Sequence, residues 1–277
     1  MEKMHIEANT VQETLVIPLF ARREASRLYP EIFSDTTAAE LMEKIDYDFS
    51  GMEEKSRMYV EFGALEVAMR QYDSAYEVRE YMKDHPECTV VNLGCGLDNT
   101  FRTVYNGKCR GVNVDFPDVI SVREQLLPCG EGEINLGTDI NDLSWLEKID
   151  FDRERGIIFF AQGVFYYFLE EQVRALFSAM AKRFPGGRIV FDTANKKACK
   201  MMTKTWIKDA GISDVSALFY VENVESLKAF SPDIRAVSSR GYMTGYDMQK
   251  YVKKGWYRFL SRVGDNMMKM QIAGVDF

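Results

Sequence analysis

The residues best suited to chemistry sit in one short stretch, Leu93-Gly94-Cys95-Gly96-Leu97-Asp98, with an acid, Asp115, about 20 positions beyond Gly94. Glycine at 94 and 96 lets the chain turn tightly and lets a ligand approach a backbone that carries no Cβ. A helix-like stretch follows, whose first N–H groups are free to donate to a ligand's acceptor atoms. Asp115 closes the next apolar run, Arg110 to Asp115, and an acid at that place can accept hydrogen bonds from ribose hydroxyls. The pattern predicts a nucleotide-type ligand at the carboxyl ends of parallel strands. The plainer alternative for Asp115 is a solvated carboxylate that opens the Phe116-Pro117 turn.

The neighbours of the turn narrow the ligand. A dinucleotide fingerprint asks for a third glycine where Asn99 stands, and no lysine follows as in a phosphate-binding loop. Asp98 adds negative charge where a pyrophosphate would lie, which opposes a phosphate and suits a ligand with a sulfonium and an ammonium. Charge therefore favours S-adenosylmethionine over NAD or ATP. Asp139 could accept from an adenine amine with Ile140 against the ring, or could cap the Asn141-Asp142-Leu143 turn. Gln162 ends a fourth apolar run and faces the same cleft, or is a satisfied loop amide. Tyr166 and Tyr167 follow; as a type they are packing aromatics more often than catalytic groups. They and Asp192 are the candidates for a general base, which only a neutral acceptor needs.

Other chemistries have little to work with. The two histidines, His5 and His85, read as surface residues, which leaves Ser/His or Cys/His hydrolysis without a base. The five cysteines match no zinc spacing and read as free thiols of a reducing compartment, so no metal is expected. A net charge of −7 argues against nucleic acid and against anionic membranes. With no signal-like leader and no long apolar run, the expected location is the cytoplasm. The expected partner is a small-molecule methyl acceptor, and a homodimer stays open.

The positioning elements follow from periodicity. Residues 1–84 read as an N-terminal helical cap, with an apolar face beginning at Thr14, Leu15, Ile17, Leu19 and Phe20. A helix start at Thr36-Thr37 is capped by Thr37 with Glu40, and Val60 to Met82 forms a long helix. Residues 85–277 read as the ligand-binding core. Strands are expected at Thr89–Leu93, Arg110–Asp115, Glu133–Leu136, Gly156–Ala161, Arg188–Asp192, Ala217–Val221 and within Met267–Val275, the last antiparallel near an edge. Helices alternate with them, Glu170 to Phe184 and Lys200 to Ala210 among them, and a helical insertion is expected around 222–265. The fold class is α/β, a doubly wound, mostly parallel seven-stranded sheet.

These motifs together resemble the leucine carboxyl methyltransferase-like group of class I methyltransferases, in particular its tetracenomycin polyketide-type O-methyltransferase branch. The resemblance rests on Glu13-Thr14-Leu15 with Pro18 to Arg22, on Ala68-Met69-Arg70-Gln71-Tyr72-Asp73, on Val91 to Asp98, and on Asp115-Phe116-Pro117-Asp118-Val119-Ile120 with Arg123. It implies a Rossmann-like core that binds S-adenosylmethionine. Gly94 and Gly96 would lie at the methionine and ribose, with Asp98 close by. Asp115, beside Phe116, would hold the ribose, and Asp139 and Ile140 the adenine. Arg70 would hold the methionine carboxylate through two hydrogen bonds, as a planar guanidinium can. Arg22 is a further candidate for carboxylate or substrate binding. Gln162 stands where the family often has glutamate. The implied activity is methylation of a small molecule, through oxygen. A protein C-terminal leucine carboxyl methyltransferase and a non-catalytic S-adenosylmethionine-binding protein are the alternatives.

Overall fold

Strands buried on both faces are mostly apolar, and four such runs build the centre of the sheet. The computed structural model describes residues 3–6, 15–202 and 219–277. In it, β1 (Thr89–Leu93), β2 (Arg110–Asp115), β3 (Glu133–Gly137), β4 (Ile157–Ala161), β5 (Arg188–Thr193), β6 (Ala236–Gly241) and β7 (Gln271–Asp276) form one seven-stranded sheet. Its order is β3-β2-β1-β4-β5-β7-β6, parallel except for β7, which is antiparallel to both neighbours. The chain reverses its winding between β1 and β4, the switch point at which doubly wound sheets hold ligands.

Alternate residues of each strand face opposite sides. Val91, Leu93, Phe159 and Phe191 pack with Trp145, Phe177 and Met180 on one side. Val90, Ile158, Phe160 and Val190 pack on the other with Leu65, Ala68, Met69 and Val78. The second set lies on α3 (Arg57–Asp84), which follows α1 (Val16–Leu28) and α2 (Thr36–Lys44). Helices α1 and α2 form their own core with α5, Pro117–Leu126, through Leu19, Phe20, Leu41, Val119 and Val122. Between them, α4 (Thr100–Val104) follows the glycine turn. On the C-terminal side come α6 (Glu170–Arg183), α7 (Lys196–Met202) and α8 (Gly255–Met267).

Three details differ from the sequence expectation. The cap of α2 is Asp35, whose carboxylate accepts from Thr37 N and Ala38 N. An acid two positions earlier satisfies the same free donors that a threonine would have served. Of the expected strand at Ala217–Val221, the described part, Phe219–Val221, is not in a strand. The sheet takes Ala236–Gly241 instead, from within the segment expected to be helical. Glu13, Thr14 and most of the helix expected over Lys200–Ala210 lie outside the described residues. Among the described residues no helix is long and apolar enough to cross a membrane.

Candidate functional site

Strand register brings the predicted residues into a row. Leu93 pairs with Val114 on one side and with Ala161 on the other, so the turns after β1, β2 and β4 leave the sheet at the same level. Gly94, Asp115 and Gln162 follow directly. Asp192 near the end of β5, and Tyr242 just after β6, reach the same edge, since β5 and β6 run in the same direction on either side of β7.

The glycine turn is built for backbone contact. Gly94 and Gly96 have φ of +63° and +44°, in the left-handed region that favours glycine. A Cβ on Gly94 would lie 2.5 Å from Val164 Cγ2, and one on Gly96 would meet Leu15 of the chain entering α1 at 3.1 Å. The turn is tied down from several sides. Gly94 N and Cys95 N both donate to Val114 O, at 2.8 and 3.1 Å. Gly96 N donates to Asp115 Oδ2 at 2.7 Å, while Asp115 Oδ1 accepts from Phe116 N at 2.8 Å. Burial pushes the Asp115 carboxyl above its ordinary range, and these amide donors pull it back. Asp115 therefore both supports the turn and remains half-buried at its rim; Phe116 beside it is exposed.

Arg123 was part of the family pattern and carried no assigned role. Fully buried, its Nη1 donates to Gly96 O and Asp98 O at 2.9 and 2.7 Å. Arg22 does a similar task from α1. It is buried, ion-paired with Asp35, and donates to Leu97 O at 2.6 Å and Asn99 Oδ1 at 2.8 Å. Its guanidinium is engaged by the protein, so Arg22 ties the cap to the turn. A helix pattern cannot reveal this, because it does not say which neighbour a buried arginine meets.

Asp98, Asp139, Ile140 and Gln162 each also bond within the protein. Asp98 accepts from Asn92 Nδ2 and Thr100 N at 2.9 Å and from Thr100 Oγ1 at 2.7 Å, which fixes the start of α4. Asp139 is exposed and accepts from Asn141 N at 2.9 Å, the turn-capping geometry that the sequence left open. Ile140 is buried, and its carbonyl accepts from Trp145 Nε1. Gln162 Nε2 donates to Thr100 Oγ1 at 3.2 Å, which joins the β4 turn to the glycine turn.

The second half of the site lies over β4 and β5. Arg70 on α3 stands against Gly163, whose added Cβ would come within 2.7 Å of Arg70 Nη1. Gly163 has φ +71°, and its N–H donates to Asp192 Oδ1 at 2.6 Å. The other Asp192 oxygen faces Arg70 Nη1 at 3.5 Å. Burial works against the Arg70 charge, but Asp192, Tyr242 and Tyr166 outweigh it and hold the guanidinium charged. Arg70 Nε is buried and has no hydrogen-bond partner. A buried, unsatisfied donor on a half-buried cation beside a Cβ-free turn fits an anionic group of a ligand, such as a carboxylate.

Burial raises the hydroxyl pKa of Tyr166 well above its ordinary value and also raises that of Tyr167, so neither is a phenolate near neutral pH. Glu66, one turn before Arg70, was not singled out by the sequence. Burial pushes its carboxyl up to about 7, with Arg70 pulling it down, yet it keeps partial solvent access. No local motif marks a lone glutamate in a helix; its environment exists only once α3 is packed.

The edge thus combines a left-handed glycine turn, a carboxylate on the next strand and a charged arginine across the switch point. Comparison with known proteins gives the family. The family profile for leucine carboxyl methyltransferase matches residues 16–181. The chain is 31% identical over 190 residues to the tetracenomycin polyketide synthesis O-methyltransferase TcmP of Streptomyces glaucescens, covering 68% of this chain and 67% of that one. It is 24% identical over 280 residues to the S-adenosyl-L-methionine-dependent methyltransferase dpfgK of Gibberella zeae, covering 96% and 93%. In fold it is similar to a crystal structure from Thermobifida fusca YX, with a TM-score of 0.53 at 14% identity over 92% of this chain and 93% of that one.

Proposed function

We propose that this chain, which belongs to the leucine carboxyl methyltransferase family and is an S-adenosylmethionine-dependent methyltransferase, methylates a small molecule through oxygen. The observation that carries the cofactor's placement is Arg70, a half-buried charged guanidinium with a buried, unsatisfied Nε across the switch point from the glycine turn. In this reading Arg70 takes the methionine carboxylate, Gly94 and Gly96 lie along the methionine and ribose, and Asp115 accepts from the ribose. Phe116, Ile140 and Asp139 border the adenine, with Asp98 and Gln162 stiffening the two turns.

When bound, S-adenosylmethionine supplies a methyl group already activated on a sulfonium. The protein's task is then to hold an acceptor oxygen near attack distance, in line with the departing bond, and to keep water out. Residues 1–84 act as a cap over the core of 85–277, with α3 rooted in the sheet. The likeness to an O-methyltransferase and the position of α1 against the turn both favour a small acceptor over a folded protein.

The test supplies methyl-labelled S-adenosylmethionine together with a small-molecule extract and, separately, a protein ending in leucine. Label in small-molecule ethers or esters is expected. Label confined to protein carboxyl termini refutes the small-acceptor reading. Arg70→Met, measured by calorimetry, is expected to weaken cofactor binding by about 1.5–3 kcal/mol; undiminished affinity removes Arg70 from the site.

A further inference from the structure

Helix α8 presents three faces. Tyr257, Ser261 and Gly264 share one, which is buried against the core. Trp256, Phe259, Val263 and Met267 recur at steps of three and four and share a second. Trp256, Phe259 and Met267 are 58%, 52% and 62% exposed, and the rings of Trp256 and Phe259 stack with centroids 5.3 Å apart. Arg258 and Arg262 stand exposed on the third face. Single exposed apolar residues are ordinary, but this stripe runs roughly 17 Å along the helix.

The helix lies on the ligand side of the sheet. At its start, Tyr257 Oη donates to Glu61 Oε2 at 2.7 Å, on the part of α3 that precedes Arg70 and projects beyond the strand ends. At its end, the carbonyls of Met267 and Met268 accept from Asn195 Nδ2 and Asn195 N at 3.0 and 2.9 Å, just past β5. Positive charge gathers along it. From Lys250 to Met270 the chain carries six cations, Lys250, Lys253, Lys254, Arg258, Arg262 and Lys269, against one acid, Asp265. Asp265 is turned inward and accepts from Met243 N and Thr244 N at 2.9 and 2.7 Å. Lys253 and Lys254 pair with Glu31 and Glu61. Arg262 and Lys269, with Lys197 and Lys200 of the adjoining α7, are exposed and have no carboxylate partner among the described residues.

We propose that this face docks the chain on an anionic lipid surface. Trp256, Phe259 and Met267 enter the boundary between headgroups and acyl chains, while Arg262, Lys269, Lys197 and Lys200 meet the headgroup charges. An apolar stripe rich in aromatic residues beside a basic face is the composition of a helix that lies in an interface rather than crossing it. The stripe is convex, so a folded partner would need a groove shaped to it, whereas a lipid surface yields around it. A second copy of the chain would bring the same cations against one another. The net charge of −7 argues against an anionic surface for the molecule as a whole. Charges farther than about 8 Å are largely screened at physiological salt, so the local cations decide at contact.

Flotation of the full chain with lipid vesicles tests the proposal. The chain is expected to float with phosphatidylcholine vesicles that contain phosphatidylglycerol and to stay behind with phosphatidylcholine alone. Raised salt is expected to weaken the binding. Lipids brominated on their acyl chains should quench tryptophan emission, and Trp256→Ser should abolish that quenching. Trp256→Ser combined with Phe259→Ser should weaken binding by roughly tenfold or more. Arg262→Glu combined with Lys269→Glu should weaken it roughly 25-fold, since each cation near such a surface is worth roughly fivefold. All four side chains are exposed, so the urea midpoints should stay at the parent's value. Failure of the parent to float, equal binding to neutral vesicles, or full binding by either double variant overturns the proposal. A dimer in sedimentation that the Trp256→Ser, Phe259→Ser variant dissociates overturns it too, and gives the face to a second copy of the chain.

Discussion

Gly94→Ala tests whether the turn's shape is set by backbone conformation, by packing, or by both. A left-handed residue with a side chain costs about 1–2 kcal/mol. At φ +63° alanine incurs that cost, and its Cβ would also lie 2.5 Å from Val164 Cγ2 and 3.2 Å from Cγ1. Overpacking of this kind adds about 1–3 kcal/mol, so the single variant should lose about 2–5 kcal/mol. Val164→Ala removes both Cγ atoms and leaves Val164 Cβ at 3.5 Å, an ordinary contact. The double variant should therefore recover the packing part and retain the conformational part, a coupling of about 1–3 kcal/mol in a double-mutant cycle. Urea unfolding of the four proteins measures it. Single effects that add to within about 0.5 kcal/mol would show that Val164 does not confine the turn.

Asp115→Ala should weaken cofactor binding by about 2–3 kcal/mol, measured by calorimetry, because a charged acceptor is lost and Gly96 N–H is freed; full affinity would displace the ribose from Asp115. Arg22→Met leaves Asp35 as an unpaired buried carboxylate and should cost about 3–5 kcal/mol of stability in urea, with an unchanged midpoint as the refuting outcome. Asp73 is fully buried, neither carboxyl oxygen has a hydrogen-bond partner, and burial, then Asp265 and Glu77, push its pKa well above the ordinary value. Its folded pKa exceeds its unfolded one, so its contribution to stability is fully present below about pH 4 and is lost as pH rises toward the folded value. Asp73→Asn should gain stability relative to the parent as pH rises from 4, and a pH-independent difference would refute that.

The parallel centre of the sheet was legible because its strands are buried on both faces. Thr89–Leu93 and Arg110–Asp115 appear as valine-rich runs, each broken by one asparagine, with the bounds that the structure has. β6 was not legible, since Ala236–Gly241 is largely exposed and carries Ser238, Ser239 and Arg240. Edge strands lack the pattern that burial imposes. The glycines and Asp115 could be found because turn chemistry and strand ends leave local marks. Arg70 became readable through family resemblance alone, and Arg22, Arg123 and Glu66 acquired their surroundings from residues far away in the chain. Helical spacing identifies a face but not the atoms that the face will meet.

The ties on the glycine turn have a kinetic meaning. Arg22 reaches Leu97 and Asn99 across 75 and 77 residues, and Arg123 reaches back to Gly96 across 27. Loops of that length close late, because the entropy of joining distant segments must be met before their contacts form. A chain with its sheet already paired would still lack a finished ligand turn until α1 and α5 had docked. Cofactor should accordingly slow unfolding while leaving the refolding rate nearly unchanged, since it recognises only the completed chain. Stopped-flow refolding with and without S-adenosylhomocysteine would reveal it, and faster refolding with ligand would mean that the turn is shaped early.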